Sequence, residues 1–260
     1  MERKYEFTGK TIIWEGIVLN QIIAVKDFGS IKKGKIGGWI ENETNLSHEG
    51  ECWVYNSSKV RGNAQVYGNA IIGQEVEVWG AAKIYDNAEI CGNVKIYGNA
   101  EIYNNARIYD NVKVYHSARI YGNALVYCSV EIFGAAQIYD NATIEDNAKI
   151  WGFAQIYGNA IIQDEVNIWG HARIYDYVKI QDEVKVWGCS KIYGSVRLQD
   201  SVKIWGHARI YDNVKIQDKV KVWGNSQIYE RAKIYDEIDI WRNARIFGAK
   251  QCYGNGEIIG

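Results

Sequence analysis

An aliphatic residue recurs at every sixth position from Val54 to Ile246, through 33 consecutive positions of valine, isoleucine or leucine. In a typical unit, Ala-Arg-Ile-Tyr-Gly-Asn, the first four side chains alternate between inward and outward, as in a short strand. Glycine and asparagine then supply turn chemistry. Each unit therefore predicts one strand and one corner. The complete absence of proline agrees, because proline is excluded from central strands.

A second period of 18 residues, or three units, is laid over the first. It is visible in the residue that follows each aliphatic position, which cycles through tryptophan, tyrosine and glutamine over much of the chain. One outward column contains Trp151, Trp169, Trp187, Trp205 and Trp223, and a second contains Tyr175, Tyr193 and Tyr211. A three-sided coil explains both periods. The sequence therefore predicts an all-β triangular prism of about 11 coils between residues 54 and 250.

The pattern Ile-x-x-x-Ala/Val followed by a turn dipeptide resembles the hexapeptide repeat of single-stranded left-handed parallel β-helices. The usual repeat places glycine or aspartate directly after the aliphatic residue, whereas this chain inserts tyrosine, tryptophan or glutamine there. The left hand of the coil is implied by the resemblance, because ordinary parallel crossovers are right-handed.

Residues 1–53 lack the repeat and read as short strands joined by glycine turns. The run Gly37-Gly38-Trp39-Ile40-Glu41 and the segment from Gly50 to Tyr55 resemble the N-terminal cap of uncharacterised bacterial and phage β-helix proteins, some of which are labelled transferases from their repeats. A stack of parallel coils needs such a cap to cover its open ladder. We therefore predict a β cap over 1–53, a β-helix over 54–250 and a tail over 251–260.

Composition narrows the function classes. A net charge of −1 argues against a generic nucleic-acid binder. The charged opening Met1-Glu-Arg-Lys predicts no signal peptide, and no apolar run is long enough to span a membrane. Five cysteines without a Cys-x-x-Cys pair are typical of reduced thiols. We therefore expect a cytoplasmic protein.

The sequence predicts no catalytic residue, no metal and no cofactor. The resemblance implies acyl transfer with a histidine base, but strict register leaves no loop to build a pocket. His48 lies in the cap, and His116, His171 and His207 occupy turn positions that are usually solvated. His171, Cys189 and His207 share one corner, yet a linear column does not converge ligands tetrahedrally. These observations argue against enzymatic activity without excluding it.

The outward positions carry charge. The residue before each aliphatic position is basic nine times in succession: Arg173, Lys179, Lys185, Lys191, Arg197, Lys203, Arg209, Lys215 and Lys221. We interpret these cations as packing over aromatic ring faces. One corner forms an acidic ridge of Asp146, Asp164, Asp182, Asp200, Asp218 and Asp236. Turn preference explains these aspartates, and a phosphate-like ridge is the alternative.

Three functions remain. We favour a non-enzymatic binding or scaffold protein that presents its aromatic faces and acidic edge to a protein partner. The resemblance to phage proteins extends this hypothesis to inhibition of a host defence complex. The alternatives are a hexapeptide-type acyltransferase and a carbohydrate- or nucleic-acid-binding surface. A dimer or trimer is a further expectation, nucleic acid is a less favoured partner, and no membrane association is expected.

Overall fold

The computed structural model describes residues 2–260. The chain divides into two compact units, one ending at Cys128 and the other running from Ser129 to Gly260. Nearly all regular structure in both is β-strand, and a single 3₁₀ turn lies at Glu43–Asn45 within the described residues. No helix of this described part is long and apolar enough to cross a membrane.

The first unit begins with an antiparallel cap. Strands β1 (Tyr5–Trp14) and β2 (Ile17–Ala24) pair antiparallel, and β2 pairs antiparallel with β3 (Ile36–Ile40). On its other edge β3 pairs in parallel, with Trp39 opposite Lys59. The strand β3 is therefore the place where the cap joins the coils.

The coils of the first unit consist of two- and three-residue strands, β4 to β16. Their bounds are Trp53–Val54, Lys59–Val60, Gln65–Val66, Ile71–Ile72, Glu77–Val78, Lys83–Ile84, Glu89–Cys91, Lys95–Ile96, Glu101–Ile102, Arg107–Tyr109, Lys113–Val114, Arg119–Ile120 and Leu125–Val126. Every third strand joins the same parallel sheet, giving the orders β3-β5-β8-β11-β14, β4-β7-β10-β13-β16 and β6-β9-β12-β15.

The second unit repeats this arrangement with strands β17 to β38. Their bounds are Glu131–Ile132, Gln137–Ile138, Thr143–Ile144, Lys149–Ile150, Gln155–Ile156, Ile161–Ile162, Asn167–Ile168, Arg173–Ile174, Lys179–Ile180, Lys185–Val186, Lys191–Ile192, Arg197–Leu198, Lys203–Ile204, Arg209–Ile210, Lys215–Ile216, Lys221–Val222, Gln227–Ile228, Lys233–Ile234, Ile238–Trp241, Arg245–Ile246, Gln251–Cys252 and Gly256–Ile259.

Three parallel sheets form the sides of the second unit. We name each after the side chain that most often follows its strands. The Trp face is β17-β20-β23-β26-β29-β32-β35-β38, the Tyr face is β18-β21-β24-β27-β30-β33-β36, and the Gln face is β19-β22-β25-β28-β31-β34-β37. The predicted all-β parallel solenoid with a small antiparallel cap is confirmed. The left-handedness of the solenoid remains an expectation from the resemblance.

The aliphatic positions form the core, as predicted. Ile174, Ile192 and Ile210 lie opposite one another in successive Tyr-face strands, and each is fully buried. Serine replaces alanine or valine at two buried positions of this unit, and each hydroxyl has a hydrogen-bond partner. The hydroxyl of Ser190 donates to the carbonyl of Trp187 at 2.8 Å, and that of Ser226 donates to the carbonyl of Trp223 at 2.7 Å.

The ladder of parallel strands extends beyond the predicted repeat on both sides. Leu46 already bridges in parallel to Val66, and near the other end Gln251 pairs with Lys233 and Ile258 with Ile240. The division into 1–53, 54–250 and 251–260 therefore remains a prediction, and the coil geometry itself does not stop at its boundaries.

Candidate binding surface

The tryptophans of the Trp face form one continuous stack. The ring centroids of Trp151, Trp169, Trp187, Trp205 and Trp223 are 4.8–4.9 Å apart along the column, and neighbouring rings are parallel to within 3°. This spacing is that of adjacent paired strands, so the backbone ladder sets it. All five side chains are half-buried.

The Tyr face carries a second stack. Tyr175, Tyr193 and Tyr211 lie 5.0 Å apart between centroids and are parallel to within 4°. Burial raises the pKa of each of these phenols, because the stack withholds water from the ionised form. The predicted aromatic site residues therefore belong to two separate columns, on two different sheets.

Stacking leaves only ring edges available inside these columns. Bases and sugars bind aromatic side chains through the ring faces, which neighbouring rings here already cover. The interpretation that cations pack over the ring faces is wrong for the column interiors. Among the described residues of the second unit, the cation–π contacts involve Tyr235, which lies outside both columns, and the last rings of the columns, Trp241 and Phe247.

The cations instead form columns of their own beside the aromatic stacks. Arg173, Lys191 and Arg209 are in register on the Tyr face. We call these three residues the basic column. In the described chain none of their side chains makes a hydrogen bond or an ion pair. Like charges directly opposite one another destabilise a strand pair.

In the first unit, cations at the equivalent outward positions form ion pairs. Lys59 and Lys95 both contact Glu77, at 3.2 and 3.5 Å, and Arg119 contacts Glu101 at 3.1 Å. At these sites, opposite charges on neighbouring coils pair with each other, although Lys95 also lies opposite Lys113. The uniform charge of the basic column is therefore not an unavoidable result of the fold.

The acidic ridge lies at the corner between the Gln face and the Trp face. Its six aspartates all have positive φ, between +62° and +70°, as expected for turn residues. The ridge is also internally bonded. The backbone N–H of Asp182 donates to Oδ2 of Asp164 at 3.3 Å, and the same contact links Asp200 to Asp182 and Asp218 to Asp200 at 3.3 and 3.4 Å.

His171, Cys189 and His207 occupy one corner on three successive coils, as predicted. His171 stacks on Phe153 at 4.9 Å, while Cys189 and His207 follow it as exposed residues on the next two coils. Within residues 2–260 no three potential metal ligands converge, and all five cysteines are free.

Sequence reasoning missed two side-chain networks. The first is a chain of side-chain hydrogen bonds along one corner of the first unit. The amide nitrogen of Asn69 donates to Oδ1 of Asn87 at 3.0 Å, and that of Asn87 donates to Oδ1 of Asn105 at 3.2 Å. The second network is in the cap, where buried Lys4 donates to the carbonyl of Cys52 at 2.9 Å and burial lowers the pKa of its ammonium. The 18-residue spacing of the asparagines signals the first network, whereas no local pattern marks the second.

The repeat is similar to that of known hexapeptide-repeat proteins. The bacterial transferase hexapeptide (six repeats) model matches residues 141–176, and the YdcK β-solenoid repeat model matches residues 118–130. The predicted resemblance to hexapeptide-repeat β-solenoids is therefore confirmed.

Individual relatives share only parts of the chain. The protein named uncharacterized acetyltransferase YdcK, from Escherichia coli (strain K12), is 36% identical over 69 residues, which are 24% of this chain and 21% of that protein. The chain thus matches about a fifth of the length of this relative. The solved LpxA, a UDP-N-acetylglucosamine acyltransferase from Bacteroides fragilis 9343, is 18% identical, with 70% and 69% of the two chains covered and a TM-score of 0.39. None of these matches bears on a phage origin or a defence complex.

Proposed function

We propose that this chain is a non-enzymatic binding protein whose Trp face receives a protein partner. The stacked Trp column is the observation that carries the proposal. The parallel indole rings are half-buried, and their edges form a continuous apolar strip on the surface. Phe153, which is 59% exposed, extends this apolar surface at the neighbouring corner. Apolar strips of this kind on soluble proteins mark interaction sites.

The geometry favours a protein over a sugar or a nucleobase as the partner. The ring faces inside the column are covered, so a ligand that needs to stack has no platform. Ring edges still pack against apolar side chains, and tryptophan leads the residues that dominate protein interfaces. Because the rings are already held by their neighbours, a partner does not have to order them, and this lowers the cost of binding.

The experiment compares the Trp187→Ala variant with a matched variant of the other stack, Tyr193→Ala. Each removes one ring that is stacked between two parallel neighbours, so each breaks two ring contacts. We expect the wild-type chain to capture one protein stoichiometrically from extracts of its native host. Trp187→Ala should weaken this capture about thirtyfold, corresponding to about 2 kcal/mol, while Tyr193→Ala retains it.

Two outcomes contradict the proposal. Equal loss in both variants, with matched melting temperatures, would mean that the Trp face has no special role. Stabilisation of the chain by coenzyme A, abolished by His171→Ala or His207→Ala, would indicate acyl transfer. That function is the second candidate, supported by the transferase hexapeptide match over residues 141–176.

A further inference from the structure

The acidic ridge and the basic column have the same pitch. Each contributes one charge per coil, and the same stack of coils carries both. The repeat distance is that of paired strands, about 4.8 Å. The three charges of the basic column can therefore face three successive aspartates of the ridge without any adjustment of spacing.

Neither row is neutralised inside the chain. The cations of the basic column make no ion pair among the described residues. The ridge carboxylates of Asp164 and Asp200 use Oδ2 to accept a backbone N–H, and no hydrogen bond within residues 2–260 engages Oδ1 of either one. Both rows therefore keep unsatisfied charge for a partner.

The two rows also lie on different sides of the unit. The ridge is the corner between the Gln and Trp faces, whereas the basic column belongs to the Tyr face, the remaining sheet. The corner that precedes the basic column along the chain contains Gly170-His171, Gly188-Cys189 and Gly206-His207, and so lacks carboxylates. The other two cation columns follow corners that carry Asp176 or Glu183. The corner that follows the basic column carries Asp176 and Asp212, which are two carboxylates over three coils, whereas the ridge beside the other two faces has an aspartate on every coil. The basic column therefore has the fewest neighbouring carboxylates.

We propose that a second copy of this chain binds by laying its acidic ridge along the basic column. The matched pitch and the opposite charge of the two rows favour this contact, and the Trp face takes no part in it. A net charge of −1 leaves little overall repulsion between copies. Because ridge and column are different surfaces, the contact is heterologous, and copies add side by side rather than closing as a two-fold dimer.

The test measures self-association by sedimentation velocity at low and at high salt. The wild-type chain should form species that grow with protein concentration at low salt and dissociate at high salt, because exposed charges are screened. The column variant carries Arg173→Glu, Lys191→Glu and Arg209→Glu. It should raise the concentration needed for half-association about tenfold or more, since three surface ion pairs are lost and replaced by repulsion.

A matched control changes the same charges on the Gln face. Its substitutions are Lys179→Glu, Arg197→Glu and Lys215→Glu, at equivalent strand positions on three successive coils. This control should associate as the wild type does. An equal loss in the control and in the column variant would overturn the proposal, because it would assign the effect to total charge.

A charge swap identifies the partner surface. The ridge variant carries Asp164→Asn, Asp182→Asn, Glu165→Lys and Glu183→Lys. The two asparagines keep an oxygen acceptor at the positive-φ positions 164 and 182. At the half-association concentration of the wild type, the ridge variant and the column variant should each be mostly monomeric, and mixing them should restore association. Failure of the mixture to associate would overturn the proposal. A wild-type chain that stays monomeric and binds single-stranded oligonucleotides, with binding lost in the column variant, would assign the column to nucleic acid instead.

Discussion

Replacement of Ile192 by aspartate is expected to unfold the coils around it. Ile192 is fully buried between Ile174 and Ile210. The substitution removes about 1.5–3 kcal/mol of apolar burial and places a carboxylate where no cation can reach it. Because coils depend on their neighbours, the loss should spread to adjacent repeats. Urea unfolding followed by circular dichroism should show the loss of a large part of the β signal before the wild-type transition.

The preceding residue supplies the control. Lys191 is outward and lies between Arg173 and Arg209, so Lys191→Asp removes like-charge repulsion and disturbs no core contact. We expect a change within about 0.5 kcal/mol. Equal destabilisation by Ile192→Asp and Lys191→Asp would contradict the assignment of inward and outward positions.

The junction between cap and coils should be equally sensitive at Gly38. A Cβ atom there would lie 2.5 Å from the carbonyl oxygen of Tyr55 and 2.6 Å from that of Ser58. Both contacts are with backbone of the first coil, so neither can be relieved by a side-chain rotation. We expect Gly38→Val to cost about 3 kcal/mol or more, in the upper range for overpacking. Differential scanning calorimetry should show an earlier transition.

Gly256 provides a matched strand glycine for this prediction. It lies in β38, has no positive φ, and a Cβ would meet no atom within 4 Å. Gly256→Val should therefore leave the melting temperature nearly unchanged. Equal melting temperatures for Gly38→Val and Gly256→Val would contradict the view that close packing of β3 against the first coil stabilises the cap.

Much of this fold follows from the sequence because the repeat is strict. The period of six predicts the strands and the inward positions, and the period of 18 assigns the Trp, Tyr and Gln columns to three sheets. The role of β3 is not predictable in this way. Its switch from antiparallel pairing with β2 to parallel pairing with β5 depends on long-range contacts, and its short run Ile36–Ile40 carries no repeat.

The candidate site is less predictable than the fold. Sequence places Trp187 and Lys185 as outward neighbours, which suggests a cation over a ring. The ladder instead sets Trp187 4.8 Å from Trp169 and 4.9 Å from Trp205, leaving no room for a cation between the rings. Ring orientation is a side-chain property that periodicity does not encode. The hydrogen bonds of the ridge were not predicted either, because the repeat gives the spacing of the aspartates but not the conformation of their side chains.

Photo-crosslinking in cells of the native host tests the central claim most directly. The photo-reactive amino acid p-benzoylphenylalanine is placed at Trp187 on the Trp face or at Gln199 on the Gln face, both half-buried outward positions. The account predicts a discrete adduct with one protein from position 187 and little from position 199. Adducts of equal yield at both positions, or none at position 187, would contradict the claim that the Trp face binds a protein partner.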